Sequence, residues 1–481
     1  MARNILLVEP GYETKFPPMG LMKISAYHKK LGDRVHFIKG MSEDAAYEYW
    51  DRIYVSTLFT YHWKTTIETI KYYKNLVRGD ASRIIVGGIL ATLMPEELWN
   101  ATGIYPVTGV LNAPDPFRDG TSLVVEEMIP DYELFNESNE KYTLIKDSYF
   151  GYSTRGCVHK CDFCGVPELE PKFIDYKGIK PYVNKLRDLY GEKEHLVLFD
   201  NNILASKKFE QIIQDIIDLG FQSGAKTTYR NKQGRTISKS RRVDFNQGTD
   251  ARLIVKRPRY VKMLSKIAIH PLRIAFDSIA LEDTYVKSVL LAADNGIQHL
   301  SNYILYNHTD TPHDFWKRLK ININLNKKHG LQIYSFPMKY IPINSKDRSY
   351  ISEPNWNWFF IRNVQRILNV LKGTVMTGED FFYRAFGENE EEFITILHMP
   401  EHILMYRGSK PKVDETTWLR KFGRLSSNEK KELLDVLSQC RTRAKLSEAL
   451  VSAKNRKLKT ILNYYLPSKH EQKTLPLFEH D

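Results

Sequence analysis

The stretch GYSTRGCVHKCDFCG, residues 151–165, holds three of the four cysteines of a 481-residue chain, spaced C-x3-C-x2-C. Three thiols leave one over if their purpose is a disulfide. They fall one ligand short of a closed tetrahedral metal site. The fourth cysteine, Cys440, stands alone far downstream. Just before the loop, SYFGYST reads as a strand, so the thiols sit on a strand-to-loop transition.

Strand–helix repeats continue outward from that loop. HLVLFD (195–200) is an apolar strand ending in a carboxylate, and RIAFD (273–277) repeats the pattern. Between them, SKKFEQIIQDIIDLG (206–220) reads as a helix. Ser206 is its expected cap, Phe209, Ile212, Ile213, Ile216 and Ile217 form one apolar stripe, and Gly220 is its stop. NYILYN (302–307) is a further strand. A helix over 311–330 follows, with Pro312 in its first turn, and QIYSFPMKYIPI (332–343) closes the series. Such repeats predict a full or partial α/β barrel with its chemistry at the C-terminal rim of the strands.

Upstream, NILLV (4–8), RVHFI (34–38), RIYVSTL (52–58) and RIIVGG (83–88) are strand candidates. They alternate with helices over 19–32, stopped at Gly32, and 65–77, and so predict an open, mostly parallel sheet. The VGG turn is either a place for a ligand or a site of close packing. From residue 346 the texture turns to helices rich in aromatic and charged residues. The expected division is therefore a Rossmann-like domain over 1–140, a barrel-type core over 141–345, and a basic helical region with a short tail over 346–481.

The longest apolar run, IIVGGILATLM (84–94), falls short of the roughly 18 residues a membrane span needs. The N-terminus reads directly as a strand, with no export signal, so the expected location is the cytoplasm. Reduced, clustered thiols there favour metal ligation over disulfides. With 70 Lys and Arg against 57 Asp and Glu, the net charge of +13 favours polyanionic partners or reflects a solvated basic face.

Three thiolates on one loop can hold three irons of a [4Fe–4S] cube and leave the fourth iron open to a small molecule. The competing reading is zinc, with His159 as a fourth ligand, although zinc sites usually pair two separated knuckles. Cys157, Cys161 and Cys164, with the aromatic Phe163 and the preceding TRG, resemble the C-x3-C-x-φ-C signature of radical S-adenosylmethionine (SAM) enzymes. That resemblance implies that the open iron binds SAM, which is cleaved by one electron from a flavodoxin- or ferredoxin-type donor. It covers roughly residues 1–345 and is strongest for the branch with a cobalamin-binding-type N-terminal domain.

By the same resemblance, Asp200 would hold SAM's amino group, with Asn201 and Asn202 beside it. Asp250, Arg252 and Asp277 would contact SAM or substrate, and Phe163 would lie against the cofactor. A buried ion pair or a helix cap is the structural alternative for each carboxylate. The sequence departs from the branch at EPGYET (9–14), which has no histidine to bind cobalt, so cobalamin is not expected unless in a histidine-off mode. A second cysteine triad is absent, which argues against a methylthiotransferase.

Residues 223–242, SGAKTTYRNKQGRTISKSRR, contain seven Lys or Arg and no acid where a barrel needs only a short loop. Lys226, Arg230, Lys232, Arg235, Arg241 and Arg242 are candidate phosphate contacts, and Tyr229 could stack on a base. A solvated loop is the alternative. The tail QKTLPLFEHD (472–481) resembles the peptides by which bacterial replication proteins bind a sliding clamp; otherwise it packs on its own domain. WNWFF (356–360), FFYRAFG (381–387), His195 and His398 read as core. The expected substrate is a nucleic acid or nucleotide. The alternatives are a small molecule or peptide, or a non-catalytic iron–sulfur or zinc protein.

Overall fold

The computed structural model describes residues 2–78, 80–136, 138, 142–230, 233–407 and 413–466. Lys232 and the clamp-like tail lie outside the described residues. The chain divides into two compact units. The first is Met1–Arg273 with Asp294–Ile297 and Ile341–Arg348; the second is Ile274–Ala293 with Gln298–Tyr340 and Ser349–Asp481. These boundaries do not coincide with the texture changes at 140 and 345.

In the first unit, β1 (Asn4–Glu9), β2 (Arg34–Lys39), β3 (Arg52–Thr57) and β4 (Ile84–Gly88) form a parallel sheet in the order β2-β1-β3-β4. Ile5, Leu6, Leu7 and Val8 are all fully buried. An unbroken apolar run, rather than alternation, is what a parallel strand covered on both faces requires. The helix Trp63–Leu76 buries Ile67, Ile70 and Tyr73, three residues apart, as one stripe. Gly88 adopts φ +112, and a Cβ there would lie 2.3 Å from the Thr57 carbonyl oxygen, so the VGG turn accepts only glycine.

A second parallel sheet of this unit joins β5 (Ser148–Gly151) to β6 (His195–Leu198). After a hairpin of β7 (Lys226–Arg230) and β8 (Thr236–Ser240), β9 (Arg242–Phe245) completes the order β5-β6-β9. The helix before the hairpin spans Phe209–Asp218 and ends at Gly220, φ +85. Its start differs from expectation. Ser206 donates its hydroxyl to Asp175 and accepts the Lys208 amide, so it fastens the approach to the helix rather than capping it. The expected stripe is buried at Phe209, Ile212, Ile213 and Ile216. The expected basic loop is an antiparallel ribbon. The unit's last strand is the short β10 (Leu272–Arg273).

In the second unit β11 (His299–Tyr306) pairs in parallel with β12 (Gln332–Lys339) along its whole length. The remainder of the RIAFD stretch is not a strand. It nevertheless runs extended beside β11, with the Ile274 and Phe276 amides donating to the Ser301 and Tyr303 carbonyls at 2.9 and 3.2 Å. The helix Pro312–His329 opens with a capping box of Thr311 and Asp314 and stops at Gly330. Trp356, Phe359, Phe360, Phe382 and Phe386 lie in the core, as their sequence context suggested. His398 is also buried, and burial holds its imidazole down to about 4. His195 departs from expectation: at the first position of β6 its side chain remains 28% exposed. Among the described residues no helix is long and apolar enough to cross a membrane.

Candidate iron–sulfur and SAM site

Because β5 and β6 run side by side with Gly151 opposite Leu198, the chain leaving β5 meets the chain leaving β6. There Asp200, 1% exposed, takes up the loop. Its carboxylate accepts the Ser153 amide at 3.0 Å, the Ser153 hydroxyl at 2.7 Å, the Thr154 amide, and the Thr154 hydroxyl at 2.7 Å. Burial pushes the Asp200 carboxyl up, and these four donors work against it. The structure thus gives Asp200, read from sequence as the holder of SAM's amino group, protein partners on both oxygens.

The next two residues fix the approach to the first cysteine. Arg155 exchanges backbone hydrogen bonds with Ile174 at 3.0 and 2.9 Å. Its guanidinium lies over the Tyr152 ring at 4.0 Å and pairs with Glu170 at 3.0 Å and Glu126 at 3.7 Å. Gly156 takes φ +74, and a Cβ would stand 2.6 Å from the Lys172 carbonyl oxygen. A glycine is therefore required immediately before Cys157.

Cys157, Cys161 and Cys164 are half-buried on the loop. N–H groups point at the first sulfur: the His159 amide at 3.4 Å and Asn202 Nδ2 at 3.6 Å. The Cys164 amide donates to the Cys161 carbonyl at 3.1 Å, closing a turn between the second and third thiols, with Phe163 inside it. Asp250 caps the helix Ala251–Lys256, accepting the Arg252 amide at 2.9 Å. It also pairs with Arg252 Nε at 2.9 Å and His159 Nε2 at 2.6 Å. Burial alone would raise the Asp250 carboxyl, but Arg252 and His159 hold it below its usual value. Arg252 in turn stands close enough to Cys161 for the sulfur to favour its charged form.

Asn202, Asp250 and Arg252 therefore all reach the cysteine loop, and Asn201 joins it through Glu170 at 3.1 Å. Asp277 belongs to the second unit, where its carbonyl accepts Arg318 Nη1 at 2.9 Å. Of the basic candidates, Lys226, Arg230, Arg235 and Arg242 are exposed. Arg241 is not available to phosphates: it pairs with Glu192 and lies over the Phe221 ring at 4.6 Å, its side chain 8% exposed.

The residues fit a cluster better than a single ion. Among the described residues no three His, Cys, Asp or Glu side chains converge as one metal ion demands. His159, the fourth ligand of the zinc reading, is turned to Asp250 instead. A cube holds each thiolate on a different iron, so its ligands stand further apart than those of one ion. The donors on Cys157 and the cation beside Cys161 suit anionic sulfur. One more feature points to a ligand. Asn202 is 3% exposed, and its Oδ1 has no hydrogen-bond partner among the described residues.

Sequence reasoning missed the bracing groups. Ser153 and Thr154 lay in the quoted stretch, but only the fold shows that they serve Asp200. Glu126 and Glu170 carried no motif; only tertiary pairing with Arg155 identifies them. Glu126 is held by Lys23 at 2.8 Å and Lys177 at 3.2 Å as well. Lys23, Glu126 and Arg155 of this ionic group line a cavity of about 190 Å³ in the first unit, together with Gly87, Gly88, Tyr54 and Phe117.

No family model matches the sequence, and no curated protein matches it significantly. Among solved structures, the fold is similar to that of the radical S-adenosylmethionine methyltransferase TsrM from Kitasatospora setae. The structure of that enzyme with tryptophan substrate and a SAM analogue superposes with a TM-score of 0.50 at 12% identity, over 71% of this chain and 75% of that one. The structure with cobalamin and a [4Fe-4S] cluster gives 0.49 at 13%, over 72% and 77%. This chain is thus an α/β protein with the fold of a radical SAM enzyme.

Proposed function

We propose that the protein is a radical SAM enzyme whose cluster is held by Cys157, Cys161 and Cys164. The observation that carries the reading is the pairing of that C-x3-C-x-F-C loop with Asn202, whose buried Oδ1 lacks a donor beside Cys157. When bound, the cluster would supply one electron to SAM, whose cleavage allows hydrogen to be taken from a substrate C–H bond. The chain's own residues bind and orient. Asn202 Oδ1 would accept from the ammonium of SAM's methionine, which would complete its hydrogen bonding. Asp200 acts one step back, holding Ser153 and Thr154 so that the thiols keep their register. Arg252 would balance charge at Cys161 and could pair with the carboxylate of SAM. Phe163 offers an apolar face to the cofactor.

The electron donor in this reading is a flavodoxin or ferredoxin, and a reducing compartment keeps the thiols free. The substrate is a nucleic acid or nucleotide, supported by the net charge and by the exposed basic ribbon; a small molecule or peptide is the alternative. Cobalamin is left out because the loop after β1 offers no histidine. The cavity beside Gly87 and Gly88 is a place where a ligand could enter this unit, and cobalamin that stays with the protein through gel filtration would reverse that choice.

The test is anaerobic. The protein is reconstituted with iron and sulfide, reduced and given SAM, and 5′-deoxyadenosine is assayed. Wild type should produce it and Cys161→Ala should not. No product from wild type, or undiminished product from the variant, rejects the reading.

A further inference from the structure

The ribbon of β7 and β8 has two dissimilar faces. Its register sets Lys226 opposite Ser240, Thr228 opposite Ser238, and Arg230 opposite Thr236. Because side chains alternate along a strand, these six share one face. All six are exposed. That face presents four hydroxyls flanked by two cations and contains no apolar side chain. The opposite face carries Thr227, Tyr229, Ile237 and Lys239, with Thr227 and Ile237 half-buried. Lys239 is engaged there with Glu194 at 2.7 Å and the Tyr229 ring at 5.1 Å.

No acid occurs between Asp218 and Asp244, and Lys226 and Arg230 enter no salt bridge among the described residues. The acids of the neighbouring stretch, Glu192 and Glu194, are already held by Arg241 and Lys239. A two-stranded sheet gains little stability alone, so a ribbon with one fully exposed polar face is poorly explained by folding. Hydroxyls and cations without apolar or amide side chains suit sugar–phosphate oxygens and not base edges.

We propose that this hydroxyl–cation face docks on the backbone of duplex DNA, independently of sequence. A two-stranded ribbon can lie along the wide major groove of B-form DNA and reach the phosphates that flank it, whereas the deep, narrow groove of duplex RNA does not admit it. The proposal rests on the nucleic-acid reading of the substrate and adds the form of nucleic acid and the surface that meets it.

The test measures binding of the reconstituted full chain to a labelled mixed-sequence duplex across a salt series. Lys226→Ala with Arg230→Ala should raise Kd about tenfold and flatten the log–log salt slope by about two, since each lost phosphate contact removes about 0.9. Lys64→Ala with Lys71→Ala, an equal charge change on the exposed side of Trp63–Leu76, should alter neither. Lys226→Arg with Arg230→Lys should keep the wild-type slope, which separates charge from damage to the ribbon. Three outcomes overturn the proposal: the alanine pair behaves as wild type, both alanine pairs weaken binding equally, or duplex RNA binds more tightly than duplex DNA. SAM cleavage is read separately in the same preparations. Its absence with DNA binding intact would reject the enzyme reading and leave the docking face standing.

Discussion

The Ser153 hydroxyl donates to Asp200 Oδ1 at 2.7 Å, tying the loop after β5 to the residues that follow β6. Three more Ser153 and Thr154 donors share that carboxylate. Asp200→Ala strands four buried donors at once. Stability should fall by about 2–4 kcal/mol, since each unsatisfied buried group costs about 1–3 and some will find water. Urea unfolding of the apo-protein gives that figure, and iron per chain after reconstitution should drop with it. Unchanged iron content would mean that Asp200 does not set the thiols' register.

Gly156→Ala tests the neighbouring constraint. At φ +74, with the Lys172 carbonyl 2.6 Å from the new Cβ, the backbone must move immediately before Cys157. The expected cost is about 1–3 kcal/mol. Reconstitution should yield less iron than wild type even where the variant is folded by circular dichroism. The equivalent change at Gly191, where a Cβ meets nothing within 4 Å although φ is +74, carries the backbone strain alone and should spare iron binding.

These two positions show what the sequence makes legible. The cysteine spacing, the strand before it and the apolar runs of the first sheet depend on local pattern, so they could be read directly. The helix 206–220 was legible through its stripe and Gly220. Its start was not, because Asp175, 31 residues away, competes for the Ser206 hydroxyl. Asp200 was legible as important but not in its role, because a strand-end carboxylate looks the same whether its donors are a cofactor or the neighbouring loop. The ribbon 226–240 read as a loop because Tyr229 and Ile237 are the only large non-polar side chains in its two strands, too few to mark an apolar–polar alternation. The pairing of Glu126 with Arg155 depends wholly on tertiary contact.

That pairing predicts acid sensitivity. Burial alone would raise the Glu126 carboxyl, but Lys23, Arg155 and Lys177 hold it down to about 2. Its partner Lys23 shifts down as well, through burial. With two further cations facing it, Glu126 remains the charged member in any case. A carboxyl lowered on folding stabilises fully above its unfolded value of about 4.5, and the gain disappears as pH falls towards 2. Unfolding midpoints of wild type and Glu126→Gln should therefore differ most at pH 6–7 and converge below about pH 3. Parallel curves over that range would place the stabilisation elsewhere.

Arg252 offers a readout of the proposed cluster. Its guanidinium stands beside Cys161 and is paired with Asp250, whose other partner is His159. Reduction adds negative charge near these thiolates, and a cation there favours the reduced form. Arg252→Ala removes the cation and leaves the Asp250 carboxylate less compensated, so both changes act in one direction. The reduction potential should become more negative while iron content stays at the wild-type level, because all three thiols remain. With the Arg252 side chain 46% exposed, solvent screens part of the effect. Arg252→Lys, which retains charge but not the planar donor geometry, should recover part of the shift. A redox titration followed by electron paramagnetic resonance decides the matter. Equal potentials in wild type and Arg252→Ala would remove Arg252 from the electrostatics of the cluster and leave it as a partner of the Asp250 helix cap alone.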